Sequence, residues 1–321
     1  MKKVVTIGGG TGSFMLLSEL KKRDDIEITA IVNMTDAGGS TGQLRDEIGV
    51  LPAGDARQAL VALAQSEQQW RDLMTYRFED GGMTGHSFGN LMLGALEKIS
   101  GSFEQALNRA SELLQVKGRV VPITTDDAHL IIETESDEVF YGENKIDESV
   151  VANPRAIYFN KPTTLHEEAS KAITEADILI ICPGNFYCSI MPNLIVSGMH
   201  KALEKSRAKK FFVANLVSKY GHTTDMTVTD FVKKAHNAVD LSFIDTVIYN
   251  TSHDIDEELQ AIYDADGEHL INEGDITELD SIEAVGLDLI AKKAPAQNKY
   301  DTVKRSLIRH NAEKLVDIIL K

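Results

Sequence analysis

Three observations predict an α/β fold: a mostly parallel sheet with connecting helices and an inserted β-rich region. Runs of β-branched residues alternate with segments of helical periodicity along most of the 321 residues. Glycine turns follow strand-like runs and lead into helices, as at Gly8-Gly9-Gly10-Thr11-Gly12 and Pro183-Gly184. Between about 118 and 160 the rhythm breaks into short strand candidates separated by polar turns, which predicts antiparallel pairing. We read one α/β domain over 1–321 with an inserted subdomain at about 118–160. No repeat, low-complexity tract or long linker divides it.

Residues 4–7 are a short β-branched strand. The glycine turn follows, and Phe14, Leu16, Leu17 and Leu20 carry the first helix. Residues 26–32 form the second strand, so the first unit is a β-α-β crossover between parallel strands. The stretch 36–42 reads as flexible and polar, and 51–55 as a turn. Helices follow at 56–66, from Gly89-Asn90 through Leu91, Leu93 and Leu96, and at 103–115. Strands are expected at 120–121, 129–134, 139–141 and 156–159. The rhythm then resumes: helix 165–175 and strand 178–181, helix 190–205 and strand 211–214, helix 228–237 and strand 246–249. A closing helix is expected over 304–320.

The composition is 43% hydrophobic and 26% charged, as in an ordinary soluble globular chain. No apolar run approaches the ~18 residues of a membrane span, and no secretory leader is expected at the N-terminus. With 33 basic and 49 acidic residues the formal charge is −16, which disfavours nonspecific attraction to nucleic acid or an acidic membrane. Cys182 and Cys188 cannot make a disulfide framework or a four-cysteine zinc site, so a reduced, cytoplasmic compartment is expected.

The chemistry is expected at the carboxyl edge of the sheet, where open α/β folds bind ligands. Gly9, Gly10, Thr11 and Gly12 allow close backbone approach and aim helix N–H groups at an anion. The loop is no complete dinucleotide fingerprint, because Ser13 stands where a third glycine belongs. Nor is it a P-loop. Asp36 could accept from a ribose, sugar or heterocycle, coordinate a metal, or simply close a turn. Gly38, Gly39 and Ser40 continue that stretch. Arg45 and Arg57 are candidate cations or solvated surface charges, and Asp55 lies two residues before Arg57. His86, flanked by Gly85 and followed by Asn90, could bind phosphate, move a proton, or pack beside a capping Ser87. In the third turn Gly184, Asn185, Tyr187 and Ser189 are candidate contacts. Cys188 is a candidate nucleophile or a buried small hydrophobe. The absence of H-E-x-x-H, or of a second histidine at helical spacing, argues against a zinc hydrolase.

Five motifs in order resemble one family: Gly8-Gly9-Gly10-Thr11-Gly12; Asp36-Ala37-Gly38-Gly39-Ser40-Thr41-Gly42-Gln43-Leu44-Arg45; Pro52-Ala53-Gly54-Asp55-Ala56-Arg57; Gly85-His86 with Gly89-Asn90; and Pro183-Gly184 with Tyr187, Ser189 and Pro192-Asn193-Leu194. Together they resemble the gluconeogenesis-factor family of the CofD-like superfamily over nearly the whole chain. The resemblance implies a Rossmann-like α/β fold, a mostly parallel sheet with helices on both faces, with nucleotide or UDP-sugar binding at the sheet edge and a role in cell shape and wall synthesis on gluconeogenic carbon sources. Related 2-phospho-L-lactate transferases move a phospholactyl group from a nucleoside diphosphate carrier to a deazaflavin alcohol, and the resemblance places Asp36 at their acceptor site. The chain departs from the family pattern at Ala37, where a second acidic residue is usual. It departs again at Cys182, Asn185 and Cys188, where Gly, Ser and Thr are usual.

A nucleotide-sugar-binding regulatory protein without turnover is the favoured reading, because the change at Ala37 removes one metal or acceptor ligand. The alternative is a transferase with catalytic Asp36 and Mg²⁺ on the diphosphate. An NAD(P) oxidoreductase is weaker, since the fingerprint fails at Ser13. The expected partner is a nucleotide-sugar or another nucleoside diphosphate, with no nucleic acid and no membrane span; a homodimer is left open.

Overall fold

The computed structural model describes residues 1–35, 38–151, 153–292 and 306–321. Asp36, the first candidate acceptor-site residue, therefore lies outside the described residues, as do 304 and 305 at the start of the expected closing helix.

The strands in chain order are β1 (Lys2–Gly8), β2 (Ile26–Val32), β3 (Arg119–Pro122), β4 (Leu130–Glu133), β5 (Val139–Tyr141), β6 (Ala156–Phe159), β7 (Ile178–Ile181), β8 (Lys209–Val213), β9 (Thr246–Asn250) and β10 (Glu283–Leu287). Among the described residues, seven of them form one all-parallel sheet in the order β10-β9-β8-β7-β1-β2-β3. This is the doubly wound Rossmann order extended by one strand, with β7 central and β1 beside it. The remaining three make a small antiparallel sheet, β5-β4-β6, inserted between β3 and β7.

Right-handed crossovers place the connecting helices. Gly10–Leu20 and Gly54–Leu63 pack together on one face, and Ala312–Ile319 returns to the same face against Gly10–Leu20. Glu167–Glu175 and Met199–Lys205 pack together on the other face. A sheet covered on both faces needs strands apolar on both sides. Ile178–Ile181 is buried throughout, and Val4, Val5, Ile7, Val247 and Ile248 are all at most 2% exposed.

Several expectations are corrected. Val120 and Val121 were expected among the antiparallel strands, but β3 pairs parallel with β2 in the main sheet, and the antiparallel strands begin at Leu130. The flexible stretch expected up to residue 42 is helical from Gly39 to Ile48. Its Gly, Ser and Thr residues are weak helix formers, but Ser40, Thr41, Gly42, Leu44 and Arg45 are all buried in it, so packing outweighs propensity. The single helix expected over 190–205 is three pieces: a π-helical turn Phe186–Ile190, then Met191–Leu194 and Met199–Lys205. Helices Gln68–Thr75 and Glu257–Ala265, and strand β10, had no counterpart in the sequence reading. Among the described residues no helix is long and apolar enough to cross a membrane.

Candidate functional site

Register brings the glycine loops together. Ile7 pairs with Ile181 and Gly8 with Val32, so β1, β2 and β7 end level with one another. The chain leaves β1 towards β2 and leaves β7 towards β8, in opposite directions across the sheet. The gap between them is the switch point at which doubly wound sheets take ligands.

Two glycines permit the approach of the loops. A Cβ on Gly12 would lie 2.0 Å from the carbonyl oxygen of Pro183, so only glycine lets the first loop sit against the third. A Cβ on Gly9 would lie 1.9 Å from Asp55 Oδ2, and the amide of Gly10 donates to Asp55 Oδ1 at 2.8 Å. The Asp55 carboxylate thus occupies one of the donor positions at the N-terminus of helix Gly10–Leu20, where the helix dipole favours negative charge. The third loop is held by Asn215, just beyond β8. Its side chain accepts from the Gly184 amide (3.2 Å) and donates to the Gly184 carbonyl (2.8 Å).

Beyond these loops opens a cleft of about 640 Å³. Thr11, Gly12, Gly184 and Asn185 line it, as do Asn215, Lys219, Tyr263, Arg309 and His310. Lys219 is ion-paired with Asp147, whose Oδ1 also accepts from Asn185 Nδ2 at 2.5 Å. Asn185 also accepts the amide of Cys188 through its Oδ1, which fixes the π-helical turn. The hydroxyl of Tyr263 accepts the amides of Leu307 (2.9 Å) and Ile308 (3.1 Å), holding residues 306–310 along the cleft wall. The arrangement offers cations, amides and helix N–H groups beside apolar wall from Ile262, Leu216 and Ile308, a combination suited to an anionic ligand with a hydrophobic part.

A second group lies apart from the cleft lining. Ser40 Oγ accepts from the Ser87 amide (3.3 Å) and from Asn90 Nδ2 (3.4 Å), and it meets His86 Nδ1 at 3.1 Å. Asn90 Nδ2 also reaches Thr41 Oγ1 (3.2 Å), and Asn90 Oδ1 accepts from Arg57 Nε (3.0 Å). Arg57 is buried and also donates to the Met74 carbonyl. Ser40, His86, Asn90 and Arg57 are therefore one buried network.

Arg45 faces elsewhere. Its guanidinium pairs with Asp127 and donates to the Ala128 carbonyl at 3.0 Å. Burial pushes the Asp127 carboxyl up, but Arg45 beside it holds it below the usual carboxylate range. Gly38 and Gly39 begin helix Gly39–Ile48, the latter with a φ of +43°. Tyr187 is in the core, its ring against Phe186 and its hydroxyl 3.8 Å from the Met226 sulfur. Ser189 is half-buried beside Gly184, and its carbonyl accepts from Asn193. Both cysteines are free and buried. Burial pushes the Cys182 thiol up to about 12 and also raises that of Cys188, beside Glu143 and Asp147. A thiol held protonated is a poor nucleophile, so Cys188 packs as a small hydrophobe.

Among the described residues, the three donor side chains gathered as a metal would require are those of Glu143, Asp147 and Cys188. A thiol is a soft ligand and Asp147 is already paired with Lys219, so this set does not suit Mg²⁺, which takes oxygen ligands. Sequence reasoning missed Asn215, Lys219, Tyr263, Arg309 and His310. Asn215 had a signal, since it follows a predicted strand at the ligand edge. The other four stand in segments without a motif.

A doubly wound α/β protein with paired glycine loops at its switch point is a nucleotide-site architecture. Residues 4–294 match the family model described as 2-phospho-L-lactate transferase CofD. The chain is 35% identical over 319 residues to the gluconeogenesis factor of Bacillus subtilis, covering 99% of this chain and 97% of that one. It is 35% identical to the gluconeogenesis factor of Listeria monocytogenes, with 99% and 94% coverage. A crystal structure of a UPF0052 family member from Bacillus halodurans superposes with a TM-score of 0.92 at 30% identity over the whole of both chains. The chain belongs to the gluconeogenesis-factor family of the CofD-like superfamily.

Proposed function

We propose that the protein is a nucleotide-sugar-binding regulator and that a UDP-sugar occupies the cleft. The observation that carries this reading is the meeting of two glycine loops, Asn185, Asn215, Lys219 and Arg309 in one cleft at the switch point. The diphosphate would lie against the N–H groups of Thr11 and Gly12 and the charges of Lys219 and Arg309. The base would pack on the apolar wall beside Tyr263, and the amides of Asn185 and Asn215 would read hydroxyls. Family membership supports this reading, and a role in cell shape and wall synthesis on gluconeogenic carbon sources is part of the same proposal.

UDP-glucose at a hundredfold excess over Kd should add about 2.7 kcal/mol of stability and raise the melting temperature by several degrees, while NAD should not. Lys219→Ala should weaken UDP-glucose binding by roughly ten- to a hundredfold, the value of a hydrogen bond to a charged group. A shift with NAD and none with UDP-glucose would overturn the reading.

A second reading is favoured by the description of the matching family model, which is that of a transferase. In it Asp36 activates or orients an acceptor alcohol. Incubation with activated donors, acceptors and magnesium, followed by mass spectrometry, separates the two. Product that vanishes in Asp36→Asn while nucleotide affinity holds would establish transfer; no turnover leaves binding alone.

A further inference from the structure

We propose that a second cavity, lined by Arg45, Glu97, Phe103 and His166 among others, binds a small neutral polyol or sugar through its hydroxyl groups. The cavity measures about 400 Å³ and shares no lining residue with the cleft. The proposal therefore rests on no part of the nucleotide reading.

Two side-chain nitrogens in its walls are buried without a hydrogen-bond partner: Arg45 Nη1 and His166 Nδ1. The Arg45 side chain is only 5% exposed, and Asp127 and Ala128 use its other nitrogens. Leaving donors of a buried guanidinium unmade is costly, so an occupant that accepts from it is stabilised. Both nitrogens are closed to solvent, and both side chains line the cavity, so an occupant lies beside them.

The class of occupant follows from the rest of the wall. Glu97, Glu104 and Asp127 contribute three carboxylates, while the charge of Arg45 is already paired with Asp127. An anion would meet this negative field, so phosphate and carboxylate ligands are disfavoured. A simple cation would leave Arg45 Nη1 unmet. A hydroxyl serves both needs, donating to a carboxylate and accepting from the guanidinium or imidazole. The Phe103 ring supplies an apolar wall for the C–H face of a sugar. Glu97 is half-buried, its carboxyl pushed up by burial and accepting from the Leu51 amide at 3.0 Å, so it is fixed in place for such a contact.

Saturation-transfer NMR on the full chain with D-glucose, D-mannitol and myo-inositol tests the site. At least one should bind with a Kd in the range of ~1–10 mM, a weak small-ligand affinity. Glu97→Gln and Arg45→Lys should weaken that binding by ~tenfold or more, and Lys219→Ala, in the cleft, should not change it. Circular dichroism checks folding. Should Arg45→Lys fail to fold, the half-exposed Glu104→Gln carries the same expectation. No transfer to any of the three polyols, equal binding in all cavity variants, or displacement by inorganic phosphate or acetate would each overturn the proposal.

Discussion

Gly12 and Gly10 are required for different reasons. Gly10 has a φ of +67° but open space where a Cβ would stand, whereas Gly12 is blocked by the Pro183 carbonyl. Gly10→Ala should cost about 1–2 kcal/mol, the penalty of a left-handed conformation. Gly12→Ala forces two backbones apart and should cost more, at or above ~3 kcal/mol, as overpacking against unyielding backbone does. Urea denaturation of both variants checks this, and equal midpoints would contradict the close-approach account. At this scale part of the cleft lining was legible where a candidate followed a predicted strand. Thr11, Gly12, Gly184 and Asn185 reach the cleft for that reason. Arg45 and Arg57 were named by nearness in sequence, but helices Gly39–Ile48 and Gly54–Leu63 turn them into separate buried partnerships.

At the scale of elements, β-branched and aromatic apolar runs revealed β1, β2, β7, β8 and β9, because buried parallel strands concentrate such residues. β10 escaped because Glu283-Ala284-Val285-Gly286-Leu287 is an edge strand of mixed burial with a glycine inside it. The closing segment was expected to be helical over 304–320 but is so only over Ala312–Ile319, residues 306–310 running non-helical along the cleft, and it was not read as part of the site. His310, one residue before the N-cap of that helix, ties it to the end of β8 through Nε2 and the Ala214 carbonyl at 3.0 Å. Burial lowers the His310 pKa to about 4. An unfolded histidine titrates near 6.5. Between those values the unfolded chain binds a proton that the folded one refuses, so stability falls as pH falls from about 6.5 to about 4. The slope from this residue should approach ~1.4 kcal/mol per pH unit, and burial of His222 and His236 acts in the same direction. In His310→Gln the amide can still donate to Ala214, and the acid limb should flatten. Urea midpoints at a series of pH values measure it; an unchanged slope would show that His310 is not the group responsible.

For the whole molecule, alternation of strand and helix was enough to indicate a doubly wound fold, and the inserted sheet was visible as a break in that alternation. The cleft was only half visible. Its far wall comes from Tyr263 and residues 306–310, distant in sequence from the glycine loops and brought to them by the order β10-β9-β8-β7-β1 and the return of the closing segment. No local pattern announces such convergence. The central claim is that this convergence is a nucleotide-sugar site. A crystal structure of the protein with UDP-glucose tests it most directly. We expect the diphosphate within hydrogen-bond distance of the Thr11–Gly12 amides and Lys219, with the base beside Tyr263. UDP-glucose bound elsewhere, or an empty cleft at saturating ligand, would contradict the account.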